Sequence, residues 1–232
     1  MLFEKHLFFG DCIVNGRFAN TFSHSSRLFK KTGGYNENRI YNTFGAKKDY
    51  RATEELTREA FYNVYRPGCL EHYVLHRFRN GKDFIPSLDF VMEKDGKIIG
   101  HIMYAKSRIS ADDGREIPVV TFGPVSILPS YQNKGYGTAL IEFSMQRAKE
   151  YGAKAIAIAG DIGFYNRFGF TVAKTAGIRY FDDPDAEYFL IAELEKGFLN
   201  GISGTYKDPE EYFVDETEAE EFDKTFPEKE RR

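Results

Sequence analysis

The stretch that most constrains this 232-residue chain is 126–138, S-I-L-P-S-Y-Q-N-K-G-Y-G-T. An apolar strand ends there, Pro129 breaks it, and a helix is predicted over 134–151. Leu140, Ile141, Met145 and Ala148 fall on one face of that helix, and Gly152 closes it. About three to four backbone N–H groups at such a helix start have no partner, and the helix dipole is positive there. Gly135 and Gly137 let an anion approach the backbone closely. Gln132 and Thr138 add neutral donors, and Lys134 adds a positive charge. The physical expectation is a seat for a diphosphate. A dinucleotide fingerprint is excluded because Leu140 stands where Gly or Ala is needed, and no G-x-x-x-x-G-K-[ST] loop occurs.

The elements around this turn follow from periodicity. Residues 39–44 read as a short strand. Thr53 reads as the cap of a helix, with Glu54 and Glu55 in its first turn, Leu56, Ala60, Phe61 and Val64 at helical spacing, and Pro67-Gly68 as its stop. A second helix is predicted over 69–79. Strands at 88–93 and 97–109 flank the tight turn Asp95-Gly96. A third strand spans 118–128 with Gly123-Pro124 inside it, which indicates a bulge because proline cannot donate a ladder hydrogen bond. A strand at 153–159, a short helix at 162–168 and a final strand at 188–194 complete the pattern.

With 42% apolar residues the chain can supply one core of about 150–200 residues plus extensions. Residues 1–38 carry scattered phenylalanines without a period and read as an N-terminal extension with no assigned function. Residues 39–203 form the expected domain. Residues 204–232 are acidic: from 207 onward there are eleven acids and five bases, a balance of -6, against a whole-chain net charge of -3. Tyr212, Phe213, Val214, Phe222 and Phe226 make this segment too aromatic for a solvated tail, so it is expected to pack partly on the domain. Two cysteines build neither a disulfide framework nor a metal site, and no apolar run reaches 18 residues, so a reduced, cytoplasmic protein with no membrane partner is expected.

The run Q-N-K-G-Y-G (132–137) resembles motif A of the GNAT N-acetyltransferases, and F-Y-N-R-F-G-F (164–170) resembles the family's following helix, one helix and one strand later. The segment G-D-I-G-F-Y-N-R-F-G-F is most similar to a branch of predicted bacterial N-acetyltransferases. The resemblance covers about residues 39–195. It implies an α+β fold: a central mixed, mostly antiparallel sheet flanked by helices, with the fourth and fifth strands splayed. It implies acetyl-CoA as co-substrate, bound along Val125, Ser126 and Ile127 and along Gln132, Asn133, Lys134, Gly135, Tyr136, Gly137 and Thr138. It also implies that the Val125 N–H stabilises the oxyanion, that Tyr165 is the general acid, and that a primary amine attacks directly within a ternary complex. Homodimers are common in such folds. The alternative is an acyl-CoA-binding sensor module without transferase activity.

Some features depart from the family. Thr121 stands where some members carry a glutamate base, and Ala157 and Ile158 stand where an Asn is frequent. Asp161, one turn before Tyr165, suits a helix cap first and a base second. Glu71, His72 and His76 lie on the second helix, which in this fold lines the acceptor pocket. No metal is expected, since His72 and His76 have no evident third ligand. The basic residues near the N-terminus lack recognised nucleic-acid motifs. The acceptor and the general base are not legible.

Overall fold

The computed structural model describes residues 40–232. The expectations for 1–38 and for Cys12 lie outside the described residues. One sheet organises the chain, in the order β1-β2-β3-β4-β6-β9-β7, where the edge strand β7 (Thr171–Val172) pairs antiparallel with β9. β2 (Phe84–Lys94) and β3 (Lys97–Ala111) form the long hairpin expected around Asp95-Gly96. β1 (Ile40–Phe44) pairs antiparallel with β2, and β4 (Glu116–Phe122) pairs antiparallel with β3. After the Gly123-Pro124 break, β5 (Ser126–Ile127) continues β4's course along β3, with Ile127 opposite Gly100 and Ser126 opposite His101.

β6 (Ala155–Ala159) runs parallel to β4, yet the two share a single register pair, Val120 with Ile156. On its other side β6 is fully laddered to β9 (Phe189–Glu193). A strand held along one edge and touched at one point on the other must diverge from that second neighbour. This is the splay the sequence implied, and it opens toward β5.

One face of the sheet is covered by α3 (Tyr136–Tyr151). Leu140, Ile141 and Ala148 are fully buried against Ile102, Tyr104 and Ile156, and burying a Leu or Ile side chain stabilises the fold by roughly 1.5–3 kcal/mol. The Tyr104 hydroxyl meets Ser144 Oγ at 2.9 Å, so the one polar group beneath the helix is satisfied. The opposite face carries α1 (Tyr50–Phe61) and α2 (Glu71–Asn80), with Val74, Leu75 and Phe78 packed on Met103 and Ala105.

Several boundaries differ from expectation. α1 starts at Tyr50, not Thr53. Thr53 is buried and turns its hydroxyl back onto the Tyr50 and Asp49 carbonyls, so it sits inside the first turn. The helix ends at Phe61, ahead of Pro67, where Asn63 takes a left-handed φ of 61°. α3 begins two residues later than expected. β9 is not the last strand: β10 (Gly204–Tyr206) follows, inserted between β3 and β8 (Ile178–Tyr180), antiparallel to the first and parallel to the second. α5 (Glu216–Asp223) then lies across α1 and α2. There Arg58 donates to Asp223 at 2.6 Å and to the Pro227 carbonyl at 3.0 Å, and Tyr62 donates to the Lys229 carbonyl at 2.9 Å. The acids of this segment answer bases on α1 and in the loop that follows it, Asp223 with Arg58 and Glu216 with Arg66.

Candidate active site

The turn before α3 takes its shape from two left-handed residues, Asn133 (φ 60°) and Gly135 (φ 83°). Asparagine tolerates that region and glycine adopts it freely. Gly135 is the N-cap and provides no side-chain bond to the helix start. The first intrahelical bond runs from the Ala139 N–H to the Gly135 carbonyl at 3.1 Å. The N–H groups of Tyr136, Gly137 and Thr138 therefore point out of the helix start. A Cβ added at Gly135 would meet nothing within 4 Å, so open space stands over the turn. Asn133, Lys134 and Gly135 are exposed and Gly137 is buried.

Two predicted donors face elsewhere. Gln132 Nε2 donates to the Ile127 carbonyl at 2.9 Å, which ties the turn to β5, and Lys134 Nζ reaches the Ser130 carbonyl at 2.8 Å. The positive charge nearest Tyr136 comes instead from Lys94, whose Nζ lies 2.9 Å from the Tyr136 hydroxyl.

The gap beside β5 has a definite polarity. The Leu128 N–H donates to the Ile99 carbonyl on β3 at 2.9 Å. Successive strand residues present their backbone groups to alternate sides, so the N–H group of Ile127 points away from β3, toward the gap. Gly123, at φ 139°, supplies the kink that a side chain would resist. Its N–H still reaches the Met103 carbonyl at 3.1 Å. Val125, Ser126 and Ile127 are all buried. Ser126 faces the side opposite α3, where its hydroxyl donates to Thr57 Oγ1 at 2.9 Å.

α4 (Ile162–Tyr165) enters next to the gap. Asp161 is its cap: it is exposed, and Oδ1 accepts from the Gly163 N–H at 2.8 Å. That bond orients the carboxylate along the helix start, which suits the capping role rather than the base role. Tyr165 is 1% exposed, with its ring against Phe122, Phe164 and Phe170 at centroid separations of 6.0, 5.1 and 5.4 Å. Phe122 is the last residue of β4, so Tyr165 stands where β4 leaves β6.

The α2 side chains serve the C-terminal segment. His72 is fully buried, with Nε2 3.1 Å from Asp223 Oδ1 and Nδ1 3.3 Å from Cys69 Sγ. The composition is that of a nucleophilic triad, but burial, reinforced by Glu71 and Asp223, raises the thiol well above its ordinary value, so Cys69 stays protonated and inert. Glu71 is also buried, and its Oε2 accepts from the Leu70 N–H at 2.9 Å. His76 Nδ1 faces Glu54 Oε1 at 3.0 Å. None of the three faces the gap.

Sequence reasoning missed what does face the bulge from the side opposite α3. The Tyr212 hydroxyl donates to the Gly123 carbonyl at 3.3 Å. Tyr206 is fully buried beside Thr121 and Ser107. The two tyrosines, Tyr206 and Tyr212, carry no spacing rule that could have signalled this. A groove of about 1100 Å³ runs past Lys106, Val119, Gly152, Lys207 and Phe213. It lies at the far end of α3 from the turn and includes none of the predicted site residues. Among the described residues no group of His, Cys, Asp and Glu is placed to hold a metal ion, and no helix is long and apolar enough to cross a membrane.

Residues 50–170 match the acetyltransferase (GNAT) family, and the chain belongs to that family. The N-acetyltransferase YhbS of Escherichia coli (strain K12) is 24% identical over 112 residues, which is 48% of this chain and 65% of that protein, so the chain matches less than two thirds of that relative's length. An N-alpha-acetyltransferase of Sulfurisphaera tokodaii is 29% identical over 160 residues, 63% of this chain and 95% of that protein. The crystal structure of YhbS in complex with CoA superposes with a TM-score of 0.65 at 22% identity, covering 80% of this chain and 97% of that one. A GNAT acetyltransferase from Brucella melitensis, in complex with acetyl-CoA, gives 0.60 at 24% identity, covering 75% and 98%. These structures share the fold.

Proposed function

We propose that the protein transfers an acetyl group from acetyl-CoA to a primary amine, by direct attack in a ternary complex. The observation that carries this reading is the single-register contact between β4 and β6, which opens a gap leading to the uncapped start of α3. The residues fit the co-substrate. The N–H groups of 136–138 and the open space over Gly135 suit a diphosphate, with Lys94 and Lys134 close by. The Ile127 N–H, turned away from β3, suits an extended amide chain laid beside β5 as an added strand. The complexes of YhbS with CoA and of the Brucella protein with acetyl-CoA support this assignment.

Acetyl-CoA supplies an activated acyl carbon and a thiolate leaving group. On this reading the Val125 N–H hydrogen-bonds the developing oxyanion, a contribution of about 3 kcal/mol in comparable sites. Tyr165 donates its phenolic proton to the departing sulfur as the carbon–sulfur bond breaks; the carbon–nitrogen bond has by then formed from the amine's lone pair, and the surplus proton on that nitrogen passes through solvent to the phenolate, which restores the acid. Asp161 holds α4, and with it Tyr165, in place by capping. A second reading, a module that binds acyl-CoA without transfer, is favoured by Thr121 standing where a base carboxylate would be.

A thermal-shift titration tests the reading. Acetyl-CoA at 100 times its dissociation constant should add about 2.7 kcal/mol of apparent stability, with no shift from ATP or NAD. Thiol release on adding an amine separates the transferase from the sensor. No shift at millimolar acetyl-CoA removes both.

A further inference from the structure

Positive charge gathers beside the turn before α3, beyond what the helix start itself supplies. Lys94 is the last residue of β2 and pairs with Lys97 across the Asp95-Gly96 turn. Its Nζ lies 2.9 Å from the Tyr136 hydroxyl, 5.4 Å from the centre of the Tyr136 ring and 6.0 Å from that of Tyr131. Lys134 comes to the same tyrosine from the turn itself, with Nζ 5.8 Å from the centre of the Tyr131 ring. Two ammonium groups from distant parts of the chain thus flank one ring, each at the range over which a ring face attracts a cation.

The helix fixes where this group stands. Helical side chains tilt toward the N-terminus, so the ring of Tyr136, the first residue of α3, leans back over the turn. Its centroid stands 6.0 Å from that of Tyr131, which precedes the turn. Lys94, bonded to the Tyr136 hydroxyl, is held over the turn with it. Lys94, Tyr131 and Tyr136 are half-buried and Lys134 is exposed, so the group is open to solute.

Neither charge is paired within the described residues. Asp95 is the carboxylate whose field reaches Lys94, yet the two form no ion pair, and Lys134 has none either. The hydrogen bond with Tyr136 raises the Lys94 ammonium above its ordinary value, so it stays protonated. An ammonium has three donors. Lys94 gives one to the Tyr136 hydroxyl and Lys134 gives one to the Ser130 carbonyl, which leaves two on each for a ligand.

We infer that Lys94 and Lys134 bind the phosphomonoester on the ribose of CoA, and so make the enzyme select CoA thioesters over the dephospho form. This rests on the acetyl-CoA reading above. The diphosphate of CoA is answered by the N–H groups of 136–138. The monoester is a separate group with a charge of about -1.5 to -2 near neutral pH. Such a group calls for full charges rather than dipoles, and lysine supplies them as compact points on flexible stems. Both phosphate groups hang from one ribose, so a diphosphate seated at the turn brings the monoester within reach of the side chains that border it.

Thermal-shift and calorimetric titrations test this by comparing CoA with dephospho-CoA, which lacks only the monoester. CoA should bind about five- to tenfold more tightly, the scale of two exposed charge pairs, and the preference should shrink as salt rises. Lys94→Met and Lys134→Met should each weaken CoA about threefold, the scale of one such pair, and leave dephospho-CoA unchanged. With the acetylated forms as co-substrates the preference should appear in KM and not in kcat, because the monoester is remote from the reacting carbon. Equal binding of the two forms, or lysine variants that weaken both alike, overturns the inference and leaves the acetyl-CoA reading intact. Binding of neither form overturns both. Should Lys94→Met fail to fold, Lys134→Met, on the exposed turn, carries the test.

Discussion

The Tyr212 hydroxyl, on the C-terminal segment, donates to the carbonyl of Gly123, the residue at which β4 breaks, at 3.3 Å. The bulge is thereby fastened from the side opposite α3 by a residue far along the chain. Tyr212→Phe should cost about 0.5–1.5 kcal/mol of stability. It should lower kcat more than acetyl-CoA affinity, because the freed carbonyl lets the Val125 N–H drift. Urea denaturation and steady-state kinetics measure the two effects. An unchanged kcat would make the bond purely structural.

Gly135→Val tests the turn. The left-handed φ costs a β-branched residue about 1–2 kcal/mol, and the new side chain projects into open space. The fold should survive with a modestly lowered Tm, while stabilisation by acetyl-CoA disappears. Retained stabilisation would mean that no ligand approaches this backbone.

Tyr165→Phe should reduce turnover by roughly ten- to a thousandfold, the span of a general-acid term, with acetyl-CoA affinity little changed. The ring environment of Phe122, Phe164 and Phe170 accommodates phenylalanine, so circular dichroism and Tm should stay close to wild type. Wild-type turnover would remove Tyr165 from the chemistry and leave it as core.

Glu71 gives a pH prediction. Burial pushes its carboxyl up to about 7, against the lesser, opposing effect of backbone N–H bonds. A folded-state value above the unfolded one means that the protonated form is favoured by folding. The contribution is full below pH about 4.5 and is lost as pH rises toward 7, a swing of up to ~3 kcal/mol. Glu71→Gln keeps an acceptor for the Leu70 N–H and does not ionise. It should match the wild type near pH 5 and exceed it at pH 8 in chemical denaturation. Parallel stability curves across that range would contradict the assignment.

What was legible in the sequence was what short-range rules govern. Asp95-Gly96 between two alternating runs produced the β2–β3 hairpin, and Gly123-Pro124 marked the break between β4 and β5. The turn at 132–137 was readable because glycine and asparagine are chosen there by φ alone. Thr53 was misleading for the same reason: Thr-Glu-Glu imitates a cap, while the true start at Tyr50 has no side-chain cap to announce it. β8 and β10 are three residues each and exist because they pair with each other and with β3, which no local pattern encodes. The burial of Tyr206 and the bond from Tyr212 to the Gly123 carbonyl depend on that pairing, so this side of the sheet stayed hidden while the turn before α3 did not.

The placement of β10 also bears on how the molecule is made. Gly204 pairs with Ala111, a contact between segments synthesised far apart in time. The hairpin, the turn before α3 and the split between β4 and β6 can all form while the ribosome is still working, since their partners lie close in sequence. The wall opposite α3 must wait for β10, and such non-local pairing is slow because loop closure comes before the reward. A nascent chain paused before residue 204 would thus be a half-built sheet, with the split between β4 and β6 in place and the face opposite α3 open to the chaperones that guard unfinished sheets.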